Sequence, residues 1–467
     1  MITFLVALAC LVAGYFVYGR VVERLFAPDA GRSVPAEAMA DGVDYVAMPT
    51  WKVFMIQFLN IAGLGPIFGA IMGAKFGVSS YLWIVFGSIF AGAVHDYLSG
   101  MLSVRHGGAS LPELVGYYLG GGVRQVLRVF SVLLLVLVGV VFVAGPAKLL
   151  ANLTPACGFT VWATLIFAYY VVATFLPVDK VIGRVYPLFA FALLFMAVGI
   201  GAMLLWHWPA LPELTDAGAL SNRHPDGVPV FPMMFVSIAC GAISGFHATQ
   251  SPMMARCMKN ERYGRPVFYG AMIAEGIVAL IWAAAATYFF GEHGMDEQNA
   301  AVVVNDMAGQ WLGGVGALLA LFGVVAAPIT SGDTAFRSAR LIVADFLHVD
   351  QKKIWRRLAI SVPLFAAGLV LMQINFDVLW RYFAWCNQTL AVFTLWAVTV
   401  YLVREGKNCW VTLLPALFMT AVCSTYICIA PEGLTLAPWL SYGIGGLCTV
   451  AAAAFFAIWF NKQKRNK

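Results

Sequence analysis

A few ionisable side chains stand inside long apolar segments of this 467-residue sequence, where such groups are rare. Glu275 is flanked by AMIA and GIVALIW, and the pair His95-Asp96 and the single His247 have similar surroundings. An ionisable group in hydrocarbon is costly, so it usually faces a cavity or a partner. We predict that these four residues bind a coupling ion or control access to a site, with structural hydrogen bonding as the alternative. Adjacent helix residues point about 100° apart, so His95 and Asp96 should find partners on other helices rather than on each other.

A further polar group follows Pro328, near the predicted end of an apolar segment. It supplies two hydroxyls and one carboxylate, on Thr330, Ser331 and Asp333. Oxygen ligands beside a helix break suit a hard cation or a proton, so these residues join the candidates for ion coupling or gating. The alternative is that Asp333 and Thr334 cap the next short helix, with Arg337 and Arg340 at the lipid headgroups.

Two apolar segments are poor continuous helices. The first contains IAGLGP at residues 61–66 and the second contains ACGAISGFH at residues 239–247. Glycine disfavours a helix interior, and Pro66 lacks an amide donor but suits the first turn of a new helix. Non-helical backbone inside a membrane is tolerated where it is buried in protein or lines a cavity, so the two breaks predict a binding site. Close helix packing through small residues is the alternative.

The predicted substrate site combines the small residues of the breaks with nearby amides. Its members are Gly63, Gly65, Gly241, Ser244, Gly245, Gln57, Asn60, Asn387 and Gln388. Freed amides and the positive ends of helices favour an anion such as a carboxylate, while freed carbonyls favour a cation. The alternative for the Asn387-Gln388 pair is that these amides hold helices together.

Such residues need a membrane-spanning scaffold. Apolar residues make up 61% of the chain and charged residues 11%, with a mean hydropathy of +0.83, which excludes an ordinary soluble domain. We predict an all-α polytopic membrane protein with about 13 transmembrane helices. The predicted spans are 2–19, 52–73, 79–104, 125–149, 159–176, 185–206, 231–250, 267–290, 311–329, 355–373, 378–403, 410–429 and 439–460.

The positive charges indicate how these spans are oriented. The chain ends in a basic tail after Phe460, which places the C-terminus in the cytoplasm and, with an odd number of spans, the N-terminus outside. Only four Lys and Arg residues then fall on the outer side, namely Lys75, Lys148, Arg223 and Arg381. The acidic loop 291–310 is expected outside, and the basic segment 337–357 inside. The predicted location is the bacterial inner (plasma) membrane.

The spacing of the two breaks predicts an inverted repeat. Spans 2–6 and 7–11 run in opposite directions, and each set of five begins with an interrupted helix, which is the layout of transporters that bind solutes where two breaks meet. The predicted organisation is a first helix and cytoplasmic loop, a five-helix repeat, an external loop, an inverted five-helix repeat, and two accessory helices with the tail. These units cover residues 1–51, 52–206, 207–230, 231–403 and 404–467.

Motifs for other kinds of protein are missing from the sequence. There is no Gly-x-Ser-x-Gly, no His-Glu-x-x-His and no nucleotide-binding Gly-x-x-x-x-Gly-Lys-[Ser/Thr], so neither an enzyme nor an ATP-driven pump is expected. The nine cysteines have no metal or disulfide spacing. We therefore expect no cofactor and no nucleic-acid partner. The expected partners are a small-molecule substrate, a coupling proton or sodium ion, and membrane lipids.

Four sequence blocks carry a resemblance to a known family. They are Pro49-Thr50 with IAGLGPIFG at 61–69, LWIVFGSIFAGAVHDYLS at 82–99 with SVRHGGAS at 103–110, SIACGAISGFHA at 237–248, and GDTAFRSAR at 332–340 with Asn387-Gln388. In these blocks the chain resembles the carbon starvation protein A family, which includes peptide and pyruvate uptake transporters. The resemblance implies a LeuT-like five-plus-five core, as in the amino acid–polyamine–organocation superfamily, a role in carbon starvation, and coupling to protons rather than sodium.

The chain also departs from that family. Long members carry His-His-Phe before the first break, where this chain has Ile56, Gln57 and Phe58, and a second Gly-Pro after the break is here Gly69-Ala70. Substrate identity and coupling through that histidine pair therefore do not transfer.

From these observations we predict a secondary active transporter, an ion-coupled symporter that imports a small carboxylate-bearing nutrient such as pyruvate, a peptide or an amino acid. One alternative is a transporter-like nutrient sensor that binds substrate without moving it. Another is a passive channel, which two interrupted helices at mid-depth suit less well than a closed binding site.

Overall fold

The computed structural model describes residues 1–154, 156–175, 178–295, 300–351, 353–374 and 376–465, and its regular elements in those ranges are all helices. The first half comprises α1 (Ile2–Phe16), α2 (Tyr18–Phe26), α3 (Pro35–Ala38), α4 (Thr50–Ile61), α5 (Leu64–Ala74), α6 (Ser79–Phe86), α7 (Ala93–Arg105), α8 (Leu111–Leu119), α9 (Gly121–Leu153), α10 (Phe159–Phe175) and α11 (Val178–His207). The second comprises α12 (Phe235–Ser237), α13 (Gly245–Ala255), α14 (Gly270–His293), α15 (Ala300–Ala320), α16 (Ala327–Leu347), α17 (Ile354–Leu371), α18 (Phe376–Arg404), α19 (Trp410–Ile429) and α20 (Pro438–Arg465). The predicted all-α fold is confirmed.

Short π-helical segments connect several of these helices. They are Gly87–Gly92, Val230–Met234, Arg265–Tyr269 and Leu321–Ala326. The first joins α6 to α7, so that Ser79–Arg105 forms one long stretch. Because a π turn inserts an extra residue, it rotates the side chains that follow, and such turns are frequent at functional sites.

Nine helical stretches in the described ranges are long and apolar enough to cross a membrane, and the bent pair α4–α5 makes a possible tenth. The nine correspond to predicted spans 1, 3, 4, 6, 8 and 10 to 13. α10 is a shorter apolar helix. The seventh predicted span is divided by its break, and the ninth lies across α15 and α16. The total of thirteen spans therefore stays a prediction.

The ninth predicted span ends differently from our expectation. The structure has no break after Pro328, because this proline occupies the first turn of α16, where its missing amide costs little. The preceding π-helical segment Leu321–Ala326 leads directly into α16, which continues to Leu347. Thr330, Ser331 and Asp333 consequently lie within a helix, and the alternative that Asp333 and Thr334 cap a new helix is wrong.

Burial separates central helices from peripheral ones. α14 is apolar on all sides and buried along most of its length, as expected for a helix surrounded by protein. α20 exposes large apolar side chains, including Leu447, Val450 and Phe455, a surface suited to lipid. The two interrupted segments occupy the centre, where α4 packs against α13 and α5 packs against α12. The fold therefore brings the two breaks together.

Two contacts agree with the prediction that successive loops lie on opposite faces of the membrane. The amino group of Met1 contacts the carboxylate of Glu213, so the N-terminus lies on the same face as loop 207–230. On the other face, Nζ of Lys407 donates to the carbonyl oxygen of Phe26 at 2.6 Å. Which face is cytoplasmic stays a prediction. Residues 296–299 of the acidic loop and the last two tail residues lie outside the described ranges.

Candidate functional site

Both predicted breaks are present. α4 and α5 meet at a bend of 47°. The ψ angles of Ala62 and Gly63 are 43° and −136°, so neither residue continues the helix. In the second break, residues 238–244 form turns between α12 and α13. Each break exposes the end of one helix and the start of another inside the protein.

The glycines after the first break allow the two interrupted segments to touch. Gly65, Gly69 and Gly73 are spaced by four residues, so they lie on one side of α5. A methyl group added at Gly69 would lie 2.8 Å from the carbonyl oxygen of Ser237, and one added at Gly65 would overlap Cys240. Close packing, our alternative interpretation of these glycines, therefore accounts for Gly65.

The other break glycines have different neighbours. A methyl group at Gly241 would lie 2.6 Å from Cβ of Ala279, and one at Gly245 would overlap backbone atoms of α18. Gly63 faces Oγ of Ser331 and the ring of Phe142. Of the four predicted glycines, Gly63 alone has a polar side chain as its nearest neighbour.

Two serine hydroxyls from neighbouring helical segments donate hydrogen bonds to backbone carbonyl oxygens near the breaks. Oγ of Ser331 on α16 donates to the carbonyl oxygen of Leu59 at 3.1 Å, two residues before α4 ends. Oγ of Ser88, in the first π-helical segment, donates to the carbonyl oxygen of Gly241 at 3.0 Å. Ser331 was among our candidates, whereas Ser88 was missed; the signal for it is a serine among the small residues of GSIFAG.

Asn387 on α18 caps the start of α13. Its Oδ1 accepts from the backbone N–H of Phe246 at 2.6 Å and from Oγ of Ser244 at 3.0 Å. Its Nδ2 lies 3.4 Å from Sγ of Cys240. These bonds occupy Oδ1 of Asn387 and connect α18 to the start of α13, so Asn387 and Ser244 hold helices together. Nε2 of Gln388 donates to the carbonyl oxygen of Phe235 at 3.4 Å, while its Oε1 has no hydrogen-bond partner in the described chain.

Gln57 and Asn60 on α4 are fully buried without hydrogen bonds. None of their side-chain nitrogen or oxygen atoms has a partner among the described residues. An unsatisfied buried polar group costs about 1–3 kcal/mol. These two amides, at 0% exposure and one turn before the first break, are therefore well placed to bind a polar ligand.

Four buried ionisable residues form a continuous chain of contacts. Nδ1 of His95 lies 2.7 Å from one oxygen of Asp96, and the other oxygen lies 2.8 Å from Nδ1 of His247. Nε2 of His247 lies 3.4 Å from Oε2 of Glu275. All four side chains are 0–1% exposed. The chain links α7, the first turn of α13 and α14, and so it passes through the start of the helix that follows the second break.

The contact between His95 and Asp96 contradicts our expectation for neighbouring residues. Their directions differ by about 100°, yet Nδ1 is close to the histidine backbone and a carboxylate is short, so the two groups meet beside the helix. Asp96 also has the interhelical partner that we predicted. Nε2 of His95, Nε2 of His247 and both oxygens of Glu275 have no hydrogen bond to described residues.

Asp333 and Thr330 belong to a separate group. Oδ2 of Asp333 accepts from the hydroxyl of Tyr186 on α11 at 2.6 Å, and the same hydroxyl lies 3.2 Å from the carbonyl oxygen of Thr330. Asp333 is thus paired with an aromatic hydroxyl rather than with the histidine–carboxylate chain. Tyr186 was missed, because nothing in an isolated tyrosine identifies its partner.

Arg337 and Arg340 do not reach the lipid headgroups. Their exposures are 4% and 1%, and both guanidinium groups point at Asp44, which precedes α4. The prediction that they lie at the membrane surface is therefore wrong. The physical reason is that residues 41–48 fold under the bundle and cover them.

A cavity of about 710 Å³ lies near the C-terminal end of α5 and beside α12, on the side of the protein away from Arg337 and Arg340. Its lining includes Val236 and Ser237, directly before the second break. It also includes Arg381, which is 3.7 Å from the carboxylate of Glu432. Within the described residues, no group of three or more His, Cys, Asp or Glu side chains is arranged to hold a metal ion.

Comparison with known proteins assigns the family. The sequence model described as carbon starvation protein CstA matches residues 1–207, 156–314 and 300–426. A membrane protein of Haemophilus influenzae is 44% identical over 339 residues, which are 62% of this chain and 91% of that protein. The chain belongs to the CstA family. The predicted resemblance is confirmed.

More distant relatives of this CstA-family protein are named as transporters. The peptide transporter CstA of Campylobacter jejuni is 27% identical, with 89% of this chain and 78% of that protein aligned. The pyruvate/proton symporter BtsT of Escherichia coli is 27% identical, with 57% of this chain and 46% of that protein aligned. These relatives are transporters, in agreement with the prediction that the chain is not an enzyme.

A solved structure supports the fold of this CstA-family protein. A manganese transporter of Eremococcus coleocola superposes with a TM-score of 0.51 at 13% identity, covering 92% of this chain and 99% of that protein. The fold is that of LeuT-like transporters, as predicted for the five-plus-five core. The protein is accordingly a multi-pass membrane protein.

Proposed function

We propose that this protein is a secondary active transporter that imports a small carboxylate-bearing nutrient together with protons. The single observation that carries the proposal is the buried chain His95–Asp96–His247–Glu275, which passes through His247 directly after the second break. Groups that can exchange protons are expensive to bury, and in membrane proteins they line ion and proton pathways. Here they sit where substrate-induced movement of α13 would change their contacts.

The proton chemistry follows from the donor and acceptor groups. Each imidazole can hold a proton on either nitrogen, and Asp96 lies between two Nδ1 atoms. Glu275 is near the remaining nitrogen of His247. A proton bound at Glu275 can pass to His247 once a movement of α13 shortens their 3.4 Å separation, which leaves Glu275 negative and His247 positive. The unpartnered Nε2 of His95 is the other end of the chain.

The first break supplies the proposed substrate contacts. The starting amides of α5 are the positive end of a helix, which favours a carboxylate. Gln57 and Asn60 contribute buried amides with no other bonds among the described residues. The names of the relatives, a peptide transporter and a pyruvate/proton symporter, support a substrate with a carboxylate and coupling to protons.

The cavity and the closed opposite end support an outward-facing state. The 710 Å³ cavity lies on the face predicted to be outside, and Arg381 there would attract an anion. Residues 41–48 close the other end, which is predicted to face the cytoplasm. We further propose that the protein acts in the inner membrane during carbon starvation, with its N-terminus outside, consistent with the family description.

The proposal is tested by uptake into proteoliposomes containing the purified protein. Labelled pyruvate, a dipeptide and an amino acid are supplied under an imposed proton gradient or sodium gradient. We expect saturable uptake of a carboxylate-bearing compound that requires the proton gradient. Binding without uptake would indicate the sensor, gradient-independent and non-saturable flux would indicate a channel, and dependence on sodium alone would reject proton coupling.

A further inference from the structure

A second cluster of buried charges lies away from the breaks. Asp44 is surrounded by Arg337 and Arg340 from α16 and by Arg357 from α17. The side chains are 1–6% exposed. Three guanidinium groups thus share one nearby carboxylate. Asp333 interacts with the first two arginines at longer range, but its own hydrogen bond goes to Tyr186.

The carboxylate of Asp44 does not satisfy these arginines. Its Oδ1 lies 3.6 Å from Arg340 and 3.9 Å from Arg337, beyond ordinary hydrogen-bond length. That oxygen and two nitrogen atoms on each of the three arginines have no hydrogen-bond partner within the described residues. Buried charges are normally paired and hydrogen-bonded, so this cluster has binding capacity for an additional or better-fitting anion.

Asp44 reaches the arginines on a loop that is anchored elsewhere. Oδ1 of Asp41 accepts from the backbone N–H groups of residues 43, 44 and 45 at 2.8–2.9 Å. The Tyr45 hydroxyl donates to the carbonyl oxygen of Gly107 at 3.1 Å, and its ring lies under Arg256. The hydrogen bonds that hold this loop therefore come from Asp41 and Gly107, not from α16 or α17.

The helix that carries two of the arginines also reaches the first break. Ser331, which contacts Leu59, precedes Arg337 by six residues and Arg340 by nine. At a rise of 1.5 Å per residue, these arginines lie about 9 and 14 Å farther along α16. A small anion that leaves the break toward the predicted cytoplasmic face would meet them next.

We infer that Arg337, Arg340 and Arg357 form a second carboxylate-binding site, which Asp44 occupies in the conformation described here. The site receives the carboxylate of the substrate after it leaves the break, and the substrate takes the place of Asp44. Planar guanidinium groups bind carboxylates in a bidentate manner, which a loop carboxylate at 3.6–3.9 Å does not achieve. This inference rests on the proposed function, because it requires a carboxylate-bearing substrate.

The experiment measures equilibrium binding of labelled acetate, pyruvate and inorganic phosphate to purified full-length protein at constant ionic strength. We expect Asp44→Asn to gain one carboxylate site, at least about tenfold tighter than any second site of the wild type, as one charge-assisted hydrogen bond would provide. Adding Arg340→Gln should remove the gain. The matched control is Asp350→Asn, because Asp350 and its partner Arg356 are half-exposed; this variant should bind like the wild type.

Two results would overturn the inference. If folded Asp44→Asn protein gains no binding of any probe, the cluster is a structural ion pair only. If it gains phosphate binding alone, the site takes a lipid headgroup or a free phosphate rather than the substrate. Should Asp44→Asn fail to fold, Asp41→Ala releases the loop and must give the same gain. Binding is measured without transport, so the two proposals can fail separately. If Asp44→Asn protein gains a carboxylate site while the wild-type protein shows no uptake, the proposed function is rejected and the second site is retained.

Discussion

Nδ1 of His247 lies 2.8 Å from Oδ2 of Asp96, which joins the first turn of α13 to α7. The second nitrogen of the same ring faces Glu275 on α14. The imidazole of His247 therefore lies between two carboxylates, and α13, which carries it, begins at the second break. Any tilt of α13 changes the distance from the ring to both carboxylates, which gives a direct physical link between helix movement and proton binding.

Replacing Glu275 with Gln should abolish proton-coupled uptake or uncouple it, because the amide has nearly the same shape but cannot carry a proton. We expect at least a tenfold loss, about 1.4 kcal/mol or more, in uptake driven by a proton gradient, with unchanged thermal unfolding. The matched control is Glu292→Gln at the exposed end of α14, which should behave like the wild type. Wild-type coupling in Glu275→Gln protein would assign Glu275 a structural role.

Asp96→Asn and His247→Gln should be strongly non-additive. Each variant breaks the same 2.8 Å contact, so the double variant should transport no worse than the poorer single variant. Initial uptake rates across a range of pH give the four corners of the cycle. His293→Gln, at the C-terminal end of α14, is the control and should combine additively with Asp96→Asn. Additive losses from the first pair would separate Asp96 from His247 functionally.

Asn387→Ala and Gln57→Ala should affect different properties. Asn387 caps α13 with a hydrogen bond of 2.6 Å, so its removal should lower the free energy of unfolding by about 1–3 kcal/mol. Gln57 has no hydrogen bond to described residues, so the cavity left by its truncation is offset by relief of the cost of burying its amide; stability should change less than in Asn387→Ala, while the KM for uptake rises. Thermal unfolding and uptake kinetics on both variants check this. A stability loss in Gln57→Ala alone would reverse the assignment.

The sequence was informative where one residue type is unusual in its surroundings. Glycine and Pro66 inside apolar segments predicted both breaks. Isolated ionisable residues in such segments indicated Glu275 and His247 as candidates for ion coupling or gating. The predicted alternation of loops also agrees with the contact of Met1 with Glu213, whereas the orientation stays a prediction. These features depend on local chemistry and on the cost of burying charge, which are the same in any fold.

Features that depend on tertiary packing were missed. The burial of Arg337 and Arg340 requires that residues 41–48 fold under them, which no local pattern predicts. The absence of a break after Pro328 follows from the position of this proline in the first turn of α16, which the sequence did not indicate. Tyr186 gains importance only because α11 places it beside Asp333. Sequence indicates which groups are costly to bury, whereas packing decides which partners they meet.

Acid should weaken the contact between the N-terminal segment and loop 207–230. Although burial opposes ionisation, hydrogen bonds from the Met1 amino group and from the backbone N–H groups of Thr3 and Ile2 lower the pKa of Glu213 from 4.5 to about 2. A lowered pKa means that this stabilisation is complete above pH 4.5 and is lost as the pH falls toward 2.

Hydrogen exchange of the first turn of α1 measures that loss. We expect faster exchange below pH 4.5 after correction for the intrinsic pH dependence, and Glu213→Gln should show it already at pH 7. Asp226→Asn in the same loop is the control, because its exposed side chain does not contact α1. Equal protection in wild type and Glu213→Gln at pH 7 would contradict the prediction.

The contact of Gly65 with Cys240 gives the protein an intrinsic chemical reporter. The Cys240 thiol is buried against the glycine, which has no side chain to separate them. Alkylation needs room for the reagent on the sulfur, so it can proceed only when α5 and the second break move apart. The rate at which Cys240 is modified would therefore record how often α5 separates from the second break. A solute that holds the two segments together would slow the reaction, and no engineered label is needed.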